Sequence, residues 1–263
     1  VLSIDNPQAK IIANFGVGYS HIDVASATEN GMVITNTPDV LSDCTADLAM
    51  TLLLMTARRA GEGERELRDG RWSGWRPTHL MGSKVSGGKT LGIIGFGRIG
   101  RAMAHKAHHG FVMKIIVHNR SRVPEEALKA VHAEQAGSIE QLLAASDFVS
   151  LHCPGGAENA SLLNAERIAT MKPGSYLINT ARGEVIDEPA LINALKANQI
   201  AGAGLDVFNN EPDIDKRFFT LDNAVLLPHL GSATTETRRD MGLRVLSNLD
   251  QFFAGRQPDD LVG

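Results

Sequence analysis

The segment that most constrains this chain runs from Lys89 to Arg122, KTLGIIGFGRIGRAMAHKAHHGFVMKIIVHNRSR. Thr90 to Gly95 is a short apolar run of the kind a buried parallel strand needs. It ends in Gly95-Phe96-Gly97-Arg98-Ile99-Gly100, and helix-like spacing follows from Arg98 to about His109. Gly110 then punctuates, and Met113 to His118 is a second apolar run. Strand, glycine turn, helix and strand in succession make one βαβ unit. In such a unit Gly95 permits the tight turn, Gly97 lets backbone approach a pyrophosphate, and Gly100 lets helix and strand lie close. Free N–H groups and the helix dipole would face the phosphates. Glycine makes up 26 of 263 residues, so the spacing alone would also suit a turn that binds nothing. The strand before it and the helix and strand after it argue for a dinucleotide site, with Arg98 and Ile99 inside the binding turn.

The end of the second strand bears on which dinucleotide. A site selective for NAD places Asp or Glu there, accepting from the ribose 2′-hydroxyl. This chain has Asn119, Arg120, Ser121 and Arg122 instead. A carboxylate would repel a 2′-phosphate, whereas an arginine fork and small polar donors would bind it. The expectation is NADP(H), with NAD(H) as the alternative if Arg120 and Arg122 form only a solvated basic turn.

Length and composition set the outer limits. A chain of 263 residues can bury a substantial core and make one large domain with part of another. A hydrophobic content of 43% and a charged content of 21% are ordinary for a globular protein. A net charge of −4 gives no reason to expect nucleic acid or an anionic membrane as a partner. The most apolar run, Leu48 to Ala57, is too short for a membrane span and ends in Arg58-Arg59. Cys44 and Cys153 read as free thiols of a reducing compartment, and no secretory segment opens the sequence, so a cytoplasmic protein is expected.

Before the glycine turn, Lys10 to Asn14 reads as a strand, Asp23 to Asn30 as a short helix ended by Gly31, and Met32 to Asn36 as another strand. Nothing upstream completes their sheet, so residues 1–36 are expected to be the remnant of a second domain. A long helix is expected from about Thr45 past Arg59 towards Arg68, apolar at its start and charged at its end. The loop after it carries Trp72 and Trp75, which either cover this chain's own core or anchor a surface elsewhere.

After the βαβ unit the alternation continues. A capping-box pattern opens a helix at Ser138, Phe148 to His152 is a strand, and Asn164 to Met171 is helical. Strands follow at Ser175 to Asn179, Ala203 to Val207 and Ala224 to Leu227, with a helix capped by Asp187 between the first two. Thr234 to Ala254 is the final helix. The expected class is α/β, a doubly wound parallel sheet of Rossmann type plus an incomplete flavodoxin-like domain. The expected division is 1–36, then 37–230 as the cofactor domain with connector helix and loop, then 231–263 as a helix returning to the first domain.

Three strand ends carry complementary chemistry. Arg182 follows the strand ending at Asn179, Glu211 the strand ending at Val207, and His229 the strand ending at Leu227. Ligands of such sheets bind outside the carboxyl ends of the strands, where the glycine turn also lies. Arg182 would clamp a substrate carboxylate and polarise its carbonyl. His229 would donate a proton, and Glu211 would orient the imidazole. Taken singly, each suits a structural role; together they describe hydride reduction of a 2-oxo acid, and no metal enters that chemistry. Thr180, Cys153 and Gly231, beside these and the neighbouring strand ends, complete the expected cofactor set, and Ser232 joins the substrate set.

These residues sit in motifs that resemble the D-isomer-specific 2-hydroxyacid dehydrogenase family, and most of all its glyoxylate/hydroxypyruvate reductase branch. The motifs are VGYSHID (17–23), TPDVLSDCTADLA (37–49), GIIGFGRIG (92–100), INTARGEVID (178–187), AGAGLDVFNNEP (201–212) and LPHLGSAT (227–234). The branch is suggested by TPDVLSDCTADLA, by ARRAGEGE and by the W-x-x-W loop. By this resemblance Arg182, Glu211 and His229 match the catalytic trio. The backbone at Val17-Gly18 matches the substrate-carboxylate site, and Asp206 and Thr45 lie where the family contacts nicotinamide or its ribose. The resemblance also implies a homodimer in which Trp75 reaches the neighbouring subunit's active site. Family members begin with further βα units that this sequence does not contain. The implied activity is NADPH-linked reduction of glyoxylate and hydroxypyruvate; the alternatives are an NAD-linked D-lactate, D-glycerate or phosphoglycerate dehydrogenase, or a nucleotide-sensing corepressor on the same scaffold.

Overall fold

The structure is a computed structural model, and it describes residues 8–262. In chain order, β1 (Ile11–Ala13), α1 (Val24–Glu29) and β2 (Val33–Thr35) are followed by α2 (Ser42–Ala57) and α3 (Ala60–Arg68). Then come β3 (Thr90–Ile94), α4 (Arg98–Phe111), β4 (Lys114–His118), α5 (Glu125–Lys129), β5 (Glu134–Gln135), α6 (Ile139–Ala145) and β6 (Phe148–Leu151). The remainder is α7 (Ala165–Thr170), β7 (Tyr176–Asn179), α8 (Glu188–Lys196), β8 (Gly202–Leu205), β9 (Ala224–Leu226) and α9 (Thr235–Phe253). The chain divides into two compact units, one built from residues up to Cys44 and from Ser232 onward, the other Thr45–Gly231.

The larger unit is a seven-stranded sheet in the order β5-β4-β3-β6-β7-β8-β9, with every pair parallel. Its strands are apolar on both sides because helices cover both. On one face Leu91, Ile93, Ile115, Val117, Phe148 and Ile178 pack with Leu52 and Leu53 of α2 and Met103 and Ala107 of α4. On the other, Ile94, Val149, Leu151 and Leu177 pack with Leu142 and Leu143 of α6, Ile168 of α7, and Leu191 and Leu195 of α8. Residues of opposite parity on each strand therefore feed two separate cores, which is the doubly wound arrangement. In β8 the alternation is Gly202-Ala203-Gly204-Leu205: a Cβ on Gly204 would stand 3.0 Å from the Leu52 Cβ, so the glycines let α2 lie directly on the strand.

Two expectations need correction. The connector is not one helix from Thr45 to Arg68: α2 ends at Ala57, and Arg59 takes a left-handed backbone with φ of 51° before α3 begins. The cause lies outside the helix. Ser83 N–H donates to the Ala57 carbonyl at 2.8 Å, taking the acceptor that would have continued the helix, and Gly82 packs against Arg58 so closely that a Cβ would stand 2.9 Å from its Cα. Nor does Gly110 end α4, which runs on to Phe111 and exits through Val112 at φ 54°. Met113 is buried there and its N–H bonds to Ala107, so burying Met113 fixes where the chain leaves the helix. Elements α5 and β5 lack a strong periodic signal and have no counterpart in the expected series.

In the smaller unit, β1 and β2 pair in parallel over a small core of Ala27, Met32 and Ile34. Asp23 caps α1, accepting from Ser26 N at 3.0 Å. The C-terminal residues add to this unit: Val262 N–H donates to Ile34 O at 2.8 Å, and Arg244 of α9 forks onto the buried Asp260 at 2.6 and 2.7 Å. Among the described residues no helix is long and apolar enough to cross a membrane.

Candidate active site

The glycine turn occupies the carboxyl end of β3. Gly95 has φ of 93°, and a Cβ on it would stand 2.5 Å from the Cys153 N and 2.6 Å from the His152 C, so any side chain would collide with the end of β6. Gly100 lies under the Gly95 carbonyl, again with no room for a Cβ. Gly97 is the exposed N-cap of α4 and makes no side-chain cap, so the helix presents its first N–H groups at that point; the first turn carries no acid. Arg98 is exposed and Ile99 half-buried beside it.

Asn119, just past β4, ties this turn to the next loop. Its Oδ1 accepts from Phe96 N at 3.2 Å, and its Nδ2 donates to Ser121 Oγ at 3.0 Å. Arg120 is exposed and pairs with Glu158, from the loop after β6, at 2.6 Å. Cys153 is buried, and burial pushes its thiol up to about 11, so it is a neutral apolar wall. The preceding His152 is half-buried, and burial of its ring holds the imidazole down at about 4 and therefore neutral; its Nε2 lies 2.9 Å from Ser150 Oγ, and its Nδ1 has no partner among the described residues.

The other half of the site lies at the ends of β7, β8 and β9. Asn179 stitches the turn that carries Arg182: its Oδ1 accepts from Ala181 N at 2.9 Å and its Nδ2 donates to Arg182 O at 2.9 Å. The Arg182 guanidinium is half-buried and gives one N–H to the Ala181 carbonyl at 2.6 Å. Thr180 is buried, and its hydroxyl has no partner among the described residues. Past β8, the Glu211 Oε1 accepts from Phe208 N at 2.8 Å, while Oε2 lies 2.8 Å from His229 Nδ1. An ionised carboxylate can only accept, so Nδ1 carries the hydrogen and Nε2 is left to face outward chemistry. His229 is half-exposed, with a left-handed backbone at φ 55°.

That backbone is held by Asp206. Its carboxylate accepts from Leu230 N at 2.7 Å and Gly231 N at 2.8 Å, and its own carbonyl accepts from His229 N at 3.0 Å. Burial raises the Asp206 carboxyl, an effect that the Leu230 and Gly231 N–H groups oppose. Thr45 is buried beside it: a Cβ on Gly231 would be 3.5 Å from Thr45 Cγ2 and 3.3 Å from Asp206 Oδ2. Thr45, Asp206 and Gly231 thus form one cluster.

In the smaller unit, the turn holding Val17 and Gly18 is stitched by Asn36, which donates to Val17 O at 2.9 Å, and by Asn14, which donates to Gly18 O at 3.1 Å. The half-buried Ser232 accepts from Thr234 N at 3.0 Å. Trp75 is 81% exposed and Trp72 52%, so Trp75 covers no core of its own chain.

Residues 50–231 match the model of the D-isomer specific 2-hydroxyacid dehydrogenase NAD-binding domain. A glyoxylate reductase from Thermococcus litoralis is 49% identical over 260 residues, covering 97% of this chain and 77% of the relative. The chain belongs to the D-isomer specific 2-hydroxyacid dehydrogenase family. Two solved structures agree: a glyoxylate reductase from Paecilomyces thermophila (39% identity, TM-score 0.88, 96% of this chain and 75% of that one), and an NADPH-dependent glyoxylate/hydroxypyruvate reductase from Sinorhizobium meliloti in complex with NADP and malonate (38%, 0.88, 97% and 77%).

As a member of this dehydrogenase family the protein is an NAD(P)-dependent enzyme, and its own residues fit a nicotinamide dinucleotide. Gly95 and Gly100 leave no room for a side chain, Gly97 caps α4 without a side chain, and the Thr180 hydroxyl is buried with no partner among the described residues. Two features have no local signature in the sequence. One is the grip of Asp206 on the backbone that carries His229; the other is the bond from Asn119 back to the glycine turn. Both join residues 23 or more positions apart.

Proposed function

We propose that this dehydrogenase reduces glyoxylate and hydroxypyruvate, giving glycolate and D-glycerate, with NADPH preferred to NADH. The observation that carries the reading is the Glu211–His229 pair at 2.8 Å, set at the mouth of a sheet whose glycine turn suits a dinucleotide. His229, with Nδ1 donated to Glu211, offers Nε2–H to the substrate carbonyl oxygen and gives up that proton as the alkoxide forms. Glu211 stabilises the charged imidazole that does this work. Arg182 clamps the substrate carboxylate. Bound nicotinamide supplies the hydride. The preference for NADPH rests on Arg120, Ser121 and Arg122 standing where an acid would favour NAD; that Arg120 is paired with Glu158 is what favours NADH as a usable second cofactor.

In this reading the protein is a cytoplasmic homodimer, and Trp75 narrows the partner's substrate pocket. Its exposure supports that role, because a ring so uncovered is costly without a surface to meet. The deciding experiment follows oxidation of NADPH and of NADH with glyoxylate, hydroxypyruvate, pyruvate and a keto acid with a bulky side chain. Highest kcat/KM with the first two and NADPH is the expected result. Binding of nucleotide with no turnover on any acid would overturn the enzymatic reading in favour of a sensor.

A further inference from the structure

The Glu211 side chain meets His229 at 2.8 Å from a loop, Phe208 to Glu211, whose shape places it. That shape is unusual, with Asn210 left-handed at φ 58°. One amide of the loop, Phe208 N, is capped by Glu211 itself at 2.8 Å. The next, Asn209 N, donates to Glu188 Oε1 at 2.7 Å.

Glu188 opens α8 and is only 7% exposed. Burial raises its carboxyl, the Asn209 N–H opposes the rise, and the nearby Asp215 and Glu211 charges add to it. Helix capping does not explain the residue, because Asp187 is already the cap and accepts from Ala190 N at 3.0 Å. An apolar side chain would fill such a site at lower cost than a carboxylate, so the bond it makes is what sets it apart. The loop is gripped from its other side as well. Gly183, directly after Arg182, packs on the Phe208–Asn209 peptide so closely that a Cβ would overlap it. The same stretch of backbone therefore touches the Arg182 turn, the Glu188 carboxylate and the Glu211 loop.

We propose that Glu188 is a positioning residue for the Glu211–His229 pair, acting through its hydrogen bond to the Asn209 amide. The proposal rests on His229 being the proton donor. Reach, rather than charge, is the property that matters. Glu188→Gln keeps an oxygen at the same distance and removes the charge; Glu188→Asp keeps the charge and draws the oxygen back by one methylene.

The test measures kcat and KM for hydroxypyruvate, the pH profile of kcat, and the dissociation constant of NADPH, on the full-length protein with His229→Ala in parallel. Glu188→Asp is expected to lower kcat by about tenfold to a hundredfold, the scale of a misplacement near 1 Å, with a displaced pH profile. NADPH affinity stays within about twofold, because the nucleotide does not depend on this contact. Glu188→Gln stays within about threefold of the wild type in kcat. The reverse order, with Asp tolerated and Gln inactive, would overturn the proposal, as would a parallel loss of NADPH binding and kcat in both variants. The low-field proton resonance of His229 Nδ1–H supplies a readout independent of turnover: it is expected to survive in Gln and to move or broaden in Asp, and an unmoved signal in Asp also overturns the proposal. If His229→Ala retains turnover, the proton-donor reading fails. If His229→Ala is inactive and Glu188→Asp is normal, only the role of Glu188 fails.

Discussion

The two ends of the candidate site are built in opposite ways. At the end formed by β7, β8 and β9, each side chain proposed to carry the chemistry is braced by buried polar groups: Asn179 under Arg182, Asp206 under His229 and Glu188 under the loop of Glu211. At the end formed by β3, β4 and β6, the side chains proposed to choose the cofactor, Arg120, Ser121 and Arg122, are exposed, and Arg120 is held by one surface ion pair. Chemistry needs atoms fixed to within a fraction of an ångström, and buried hydrogen bonds supply that. Cofactor choice needs only a charge of the right sign on a solvent-exposed loop. Substitution at the first end should therefore cost turnover and leave the nucleotide bound, whereas substitution at the second should change which nucleotide binds.

The largest break in that contrast is expected from His229→Ala. Removing the donor should cost roughly a hundredfold or more in turnover, the usual size of general acid catalysis, with NADPH affinity nearly unchanged. Steady-state rates at several pH values beside a fluorescence titration decide it; near-normal turnover would show that the braced end is not where the proton comes from. Arg120→Ala should weaken NADPH by roughly 1.5–3 kcal/mol, the scale of a charged hydrogen bond, and leave NADH almost where it was. Equal loss for both nucleotides would remove Arg120 from cofactor choice.

Smaller effects sharpen the same line. Trp75→Ala should raise KM for hydroxypyruvate about fivefold, from an interface anchor of about 1 kcal/mol or more, while NADPH binding holds. A fully active monomer seen by sedimentation would end the cross-subunit role. Glu158→Gln should tighten NADPH only about two- to fivefold, as expected for a surface pair that competes for Arg120. If NADH tightens equally, the Arg120–Glu158 pair does not discriminate between the two cofactors.

What was legible in the sequence follows from distance along the chain. The strands, the glycine turn and the caps at Ser138 and Asp187 depend on neighbours within a few residues, and the structure has each of them. The positions of Arg182, Glu211 and His229 past three strand ends were also visible, because strand ends can be read locally. The break between α2 and α3 was not, since its cause is Gly82 and Ser83 meeting Ala57 and Arg58 from more than 20 residues away. Glu188 was equally hidden: in sequence it is an ordinary acid in the first turn of a helix, and only the fold brings it to Asn209.

The strand order also governs how the protein must be assembled at the ribosome. The chain starts the large sheet inside it with β3, runs outward through β4 to the edge strand β5, then returns to lay β6 against the other side of β3. Until Phe148 to Leu151 emerge, the half-sheet has an open edge at Leu91 to Ile94, residues that end up wholly enclosed. An exposed apolar edge of that kind templates pairing with other chains. The arrival of β6 covers that edge at the moment it completes the wall behind Gly95, and the open edge passes to Phe148 to Leu151, equally enclosed in the finished sheet, until β7 pairs with them.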